Sequence, residues 1–277
     1  MMHAEGQFQT PQGAKIYYQH WQPQSPPKAL LLLVHGLAEH SGRYLNVVNS
    51  FVPRGYAVYG LDHIGHGKSE GTRVYVEQFA DYIRPLETYF EMLRAWHPET
   101  PVFLVGHSLG GLIASVYLLE HQEQFRGAIL SAPAVKISDS ISPATIAIGK
   151  ILSRLLPRAG ILALDATAIS KDEAVVRAYV NDPLVYTGKV TARLGAEMLA
   201  AMQRVTAEAR TLRLPLLLLQ GSADRLVDPG GARMLYEHAR STDKTLKVYD
   251  GLYHEVFNEP EREQVFADMA AWLEARC

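Results

Sequence analysis

A single cysteine, Cys277, stands at the last position of the 277-residue chain. One thiol cannot close a disulfide within the chain, and it excludes a cysteine-based zinc site. No run of about eighteen apolar residues occurs, so nothing in the sequence is expected to span a membrane. The opening stretch, Met1 to Thr10, is polar and lacks an apolar core of signal-peptide length. A cytoplasmic location, or a peripheral one on a membrane, is therefore the expectation. Charge of either sign is also scarce in excess: the formal net charge is −2. Nucleic acid, which calls for clustered Lys and Arg, is not an expected partner. What is present is 48% hydrophobic and 20% charged residues. That balance describes one large globular domain, long enough to bury its core without staples.

Short apolar runs alternate with longer segments of helical period. Ala29 to Val34, Tyr56 to Gly60, Val102 to Val105, Gly127 to Leu130, Leu216 to Leu219 and Leu246 to Tyr249 read as strands. They lack polar alternation, as strands covered on both faces do. Between them lie expected helices at Tyr44 to Val52, Val76 to Trp96, Leu109 to Glu120, Gly231 to Arg240 and Pro260 to Ala275. This order implies an α/β fold with a mainly parallel sheet and helices on both faces. Phe8 and then Lys15 to Trp21 are expected to add antiparallel edge strands.

The alternation breaks after Ala134 and resumes near Arg210. The stretch shows helical patterns and no convincing strand, so 134–210 reads as a helical cap inserted into a core made of 1–133 and 211–277. The alternative is a second layer covering the sheet. Ile148, Ile151, Leu152 and Leu155 share one helix face, and Pro157 ends that run. Leu194, Met198, Met202 and Val205 share another.

The strongest chemical signal is Gly106-His107-Ser108-Leu109-Gly110. It fits G-x-S-x-G, with a strand pattern before it and a helical pattern after it, which is the context of a nucleophile elbow. The tight turn leaves no room for side chains two residues either side of the serine. It lifts the hydroxyl above the sheet and turns a helix N-terminus toward the reacting oxygen. Serine needs a base, and the base an orienting acid, in the chain order Ser, acid, His. Asp224 follows the first strand after the cap and is the favoured acid. Asp228 is its rival, and for either the bland alternative is a turn aspartate capping the next helix. Of 11 histidines, only His254 lies between the last strand and the C-terminal helix. The oxyanion hole needs two backbone N–H donors. The amides of Leu109 and of Leu37, in Val34-His35-Gly36-Leu37, are the candidates. His35 is expected to pack and hydrogen-bond that loop rather than act as a base. Asp62, His63 and His66 have no third histidine or cysteine at ligand spacing, and glycines dominate the stretch, so their loop is expected to support the floor of the site.

The sequence resembles monoacylglycerol (monoglyceride) lipases from about Phe8 to Trp272. The matching blocks run from His35 to Tyr44, Asp62 to Gly71, Gly106 to Gly111, Asn181 to Leu184 and Leu217 to Leu226. The first and last are far more specific than the elbow motif. The resemblance implies the α/β-hydrolase fold and hydrolysis of monoacylglycerol, or a similar lipid ester, to glycerol and fatty acid. No metal or organic cofactor is implied. Ser108, Asp224 and His254 would be the triad, with Leu37 and Leu109 as oxyanion donors. Glu39, Arg43 and Tyr179 match positions near the glycerol end. Two departures stand out. Mammalian members carry a second histidine three residues after the catalytic one, where this chain has Phe257, and they carry cysteines near the site, where Val227 follows Leu226. A lysophospholipase or a general carboxylesterase would share the core chemistry and remains the alternative.

A membrane contact through the cap is also expected. The stripe of Ile148, Ile151, Leu152 and Leu155 would line an acyl tunnel. Ile146 and Leu156 fall outside it and would leave apolar surface beside Lys150, Arg154 and Arg158, suited to an interface. The alternative is that both faces pack against the core.

Overall fold

The computed structural model describes residues 1–137 and 143–277. Its main sheet contains β1 (Met2–Gln9), β2 (Lys15–Gln22), β3 (Ala29–Val34), β4 (Tyr56–Leu61), β5 (Val102–His107), β6 (Gly127–Ser131), β9 (Leu216–Gly221) and β10 (Lys244–Tyr249), in the order β1-β2-β4-β3-β5-β6-β9-β10. From β4 to β10 all neighbours are parallel, while β1, β2 and β4 pair antiparallel. Every residue of β3, β4, β5, β6 and β9 is buried. Their unbroken apolar runs follow from cover on both faces.

The two faces divide by strand period. Leu30, Leu32 and Val34 pack with α2 (Ala80–Trp96), α3 (Leu109–His121) and α7 (Gly230–His238). Leu31 and Leu33 point the other way, onto α1 (Leu45–Phe51) and α8 (Arg262–Glu274). Two expectations shift. Only β1 is an edge strand at that end, because β2 lies between β1 and β4. β10 forms the other edge and is not fully buried; Val248 is half exposed.

Between β6 and β9 lie α4 (Pro143–Leu155), β7 (Gly160–Ala163), α5 (Glu173–Asn181), β8 (Lys189–Thr191) and α6 (Ala192–Glu208). The small antiparallel sheet of β7 and β8 was not expected. Strands of four and three residues are too short to show a period. Asp172 caps α5 by accepting the Ala174 N–H, and Thr191 caps α6 by accepting that of Leu194. On α6 the expected stripe faces inward: Leu194 and Val205 are buried, with Met198 and Met202 packed on the same core.

On α4 the expectation is reversed. The sequence pattern of this helix extends over 141–156, of which residues 141–142 lie outside the described residues. Ile148, Ile151 and Leu155 face solvent at 58%, 58% and 73% exposure, so this stripe lines no tunnel. Leu156 is exposed as expected, but Ile146 is half-buried. Ile146, Leu152 and Ser153 form the more buried face of the helix. Two apolar stripes share the helix, and period alone does not say which one finds a partner. Among the described residues no helix is long and apolar enough to cross a membrane.

Candidate active site

Ser108 stands where β5 turns into α3, with φ 54° and ψ −119°. For an L-residue this backbone costs about 1–3 kcal/mol and persists only where neighbours enforce it. Here the Ser108 N–H donates to the Ser131 carbonyl (3.0 Å), and its own carbonyl accepts from Ala134 (3.0 Å) and Leu112 (3.1 Å). Close approach explains the flanking glycines. A Cβ at Gly110 would lie 1.9 Å from the Val34 carbonyl oxygen, and one at Gly106 2.6 Å from that of Gly110. The first turn of α3 leaves its backbone N–H groups, Leu109 among them, without partners inside the helix.

Asp224 lies in the loop after β9, and His254 in the loop after β10. Asp224 Oδ2 is 2.8 Å from His254 Nδ1, and both side chains are almost wholly buried. The other carboxylate oxygen accepts from the amides of Leu226 (2.8 Å) and Val227 (3.1 Å), and Gln220 Nε2 donates to Oδ2 at 3.1 Å. Burial alone would raise the Asp224 pKa, but the His254 imidazole and the two amides hold it below the ordinary value. For His254, burial pushes down while the Asp224 carboxylate pulls up, helped by Glu255 and Glu39, and the result lies above the ordinary value. With Nδ1 committed to Asp224, Nε2 is the ring atom left for proton transfer. Asp228 is placed differently. It accepts the Gly230 N–H at the start of α7 (2.8 Å) and pairs with Lys136 Nζ (2.8 Å).

The loop after β3 runs beside the elbow. A Cβ at Gly36 would sit 3.3 Å from Ser108 Cβ, so the peptide carrying the Leu37 N–H lies next to Ser108. Ala38, with φ 65°, completes the bend. His35 holds this loop from behind. Its Nε2 accepts the His63 N–H (2.9 Å), which puts its proton on Nδ1, and Nδ1 donates to the Gly36 carbonyl (2.8 Å). His63 Nε2 donates back to the His35 carbonyl at 3.0 Å. Asp62 accepts from the amide and hydroxyl of Ser41 (2.8 and 2.6 Å) and from the Lys68 amide (2.8 Å). These residues brace the floor; among the described residues no cluster of three potential ligands could hold a metal.

Glu39, Arg43 and Tyr179 come together at one side of the site. Glu39 accepts from the Gly36 amide (2.6 Å), the Tyr44 hydroxyl (2.6 Å) and Arg43 Nη1 (2.7 Å). The Arg43 guanidinium lies 4.6 Å from the centre of the Tyr179 ring on α5. One member was missed from sequence: Glu255, which grips Arg43 with two bonds of 2.6 and 2.8 Å. A glutamate in a polar loop carries no motif; its place next to His254 was the only available signal. Phe257, one of the two departures noted in the sequence, is buried and stacks on Phe266, so its place is in the core.

The cap is stitched to these loops. His40 Nε2 meets Asp182 Oδ2 (2.9 Å), the Tyr186 N–H donates to the Ala38 carbonyl (2.8 Å), and the Glu255 N–H donates to that of Ile169 (2.8 Å).

Comparison with known proteins agrees with this architecture. Residues 25–261 match the family described as serine aminopeptidase, S33. A monoacylglycerol lipase of Mycolicibacterium smegmatis is 39% identical over 98% of this chain and 96% of its own. The human monoglyceride lipase is 36% identical over 100% of this chain and 90% of its own. The crystal structure of a Paleococcus ferrophilus monoacylglycerol lipase superposes with a TM-score of 0.85 at 33% identity, covering 95% of this chain and 99% of that one. The chain belongs to the monoacylglycerol lipase family, carboxylic ester hydrolases built on the α/β-hydrolase fold.

Proposed function

We propose that the chain hydrolyses monoacylglycerol to glycerol and a fatty acid, with Ser108, Asp224 and His254 as the catalytic triad. The observation that carries this reading is the buried 2.8 Å Asp224–His254 bond, combined with Ser108 on a strained elbow. Ser108 Oγ attacks the ester carbonyl while His254 Nε2 takes its proton. Asp224 fixes the tautomer and stabilises the imidazolium without accepting the proton. The Leu37 and Leu109 amides donate to the tetrahedral oxyanion. As the C–O bond breaks, His254 returns the proton to the departing glycerol oxygen. Water then attacks the acyl-enzyme, His254 takes its proton, and the fatty acid leaves as Ser108 regains hydrogen. No step needs a cofactor.

A long-chain monoacylglycerol resides in membranes, so an enzyme with no spanning helix among its described residues must reach it at the surface. The exposed face of α4 offers Ile148, Ile151 and Leu155, next to Leu156 and flanked by exposed Lys150 and Arg154. An apolar face with basic neighbours suits a lipid interface, and we assign it to peripheral docking on an anionic bilayer. The test of function is glycerol and oleate release from 1-oleoylglycerol by purified protein. Absence of turnover there, with activity on short nitrophenyl esters, would make the enzyme a general carboxylesterase instead.

A further inference from the structure

Two carboxylates bracket one guanidinium beside the nucleophile. Arg43 is held by Glu39 on the oxyanion loop and by Glu255, the residue following His254. All three side chains are at most 10% exposed. Only the room of a single Cβ separates this cluster from the nucleophile: at Gly36 that atom would touch Glu39 Oε1 (2.7 Å) and Ser108 Cβ (3.3 Å). The departing alcohol must lie at His254, which protonates it, and the Glu255 carboxylate lies close enough to that ring to push its pKa up.

We infer that Glu255 is a specificity-determining residue: by over-neutralising Arg43 it makes the leaving-group side accept an uncharged polyol and refuse one that carries a phosphate. This rests on the esterase reading above and sharpens its substrate class. Arg43 alone would be a ready phosphate ligand, since a guanidinium fork matches phosphate oxygens. With both carboxylates ionised the cluster carries one net negative charge. Burial raises the Glu39 pKa, opposed by Arg43 and aided by Glu255, so Glu39 takes up a proton first. Arg43 holds Glu255 below its ordinary value against the push of burial. Protonation of Glu39 therefore leaves the cluster neutral, with Glu255 still ionised opposite Arg43. A like charge in a poorly solvated site repels a phosphate by roughly tenfold to a hundredfold in affinity.

The test compares wild type with Glu255→Gln on 1-oleoylglycerol and 1-oleoyl-lysophosphatidate, both in neutral detergent micelles at fixed ionic strength. Both substrates release oleate; the alcohols are glycerol and glycerol 3-phosphate. Wild type is expected to prefer oleoylglycerol at least a hundredfold in kcat/KM. Glu255→Gln should shrink that preference at least tenfold, mainly through KM for the phosphate substrate, and adding Arg43→Gln should cancel the shift. An unchanged preference in a folded Glu255→Gln protein would overturn the inference, as would equal use of both substrates by wild type. Should Glu255→Gln fail to fold, product inhibition of wild type decides: glycerol 3-phosphate must bind at least tenfold more weakly than glycerol, and equal or tighter binding contradicts us. If wild type leaves oleoylglycerol intact, it is the enzymatic reading that fails; if it turns over and only the preference stays fixed, this inference alone is wrong.

Discussion

At the scale of single residues, the account rests on how differently two nearby aspartates are held. Asp224 is buried against His254, whereas Asp228 pairs with Lys136 at the head of α7. Asp224→Asn should lower kcat about 10³- to 10⁴-fold by allowing the wrong imidazole tautomer. Asp228→Asn should cost no more than a few-fold, and a steady-state comparison giving the reverse ranking would end our assignment of the acid. Backbone strain gives a second check. Ser108→Gly should be inactive but about 1 kcal/mol more stable to urea than Ser108→Ala, because glycine adopts φ 54° freely. Equal stabilities would mean that the elbow stores no strain. The triad candidates were legible because G-x-S-x-G and chain order are local signals. Glu255 was not, since its partner Arg43 lies 212 positions away and nothing local links them.

Among the elements, α4 shows where periodicity ends. The pattern located the helix, and Pro157 its end, but Ile146 and Leu152 lie toward the protein while Ile148, Ile151 and Leu155 lie toward solvent. Burial is decided by whichever surface happens to lie opposite, and that is a tertiary fact. The same limit hid β7 and β8, and the edge position of β10. The core strands were easier, because cover on both faces writes itself into composition. Replacing Ile148, Ile151 and Leu155 together with Ser should weaken binding to anionic vesicles at least tenfold in a sedimentation assay and slow hydrolysis of vesicle-borne oleoylglycerol. A soluble short-chain ester should be hydrolysed at nearly the normal rate. Unchanged vesicle binding would remove the docking role; equal loss on both substrates would mean the face serves catalysis or folding.

The whole molecule buries four neutral histidines around the site, and this sets its acid stability. Burial and neighbouring imidazoles hold His35 well below the ordinary value and His63 at about 3; burial holds His66 at about 4, and burial with His254 holds His107 at about 3. The unfolded chain takes up protons at these rings from pH 6.5 downward, and the folded chain does not. Their contribution to stability is therefore complete above about pH 6.5 and falls away as pH drops toward about 3. Glu39 and Glu259, raised chiefly by burial, protonate earlier in the fold and partly oppose the loss. Stability should therefore fall as pH drops from 7 to 5, with a slope of about 1.4 kcal/mol per pH unit for each net proton the unfolded chain takes up. Urea melts at pH 7, 6 and 5 would show it, and His66→Gln should flatten the slope by about one proton's worth. A flat profile from pH 7 to 5 would mean that these rings are not held neutral.

The central claim is that Ser108 carries the acyl group of a monoacylglycerol, and the most direct measurement is oleate release from 1-oleoylglycerol by wild type and Ser108→Ala, with melting followed in parallel. The account predicts steady turnover by wild type and a loss of about 10⁴-fold or more in the variant, with the melting transition preserved. Turnover by folded Ser108→Ala within tenfold of wild type would contradict it.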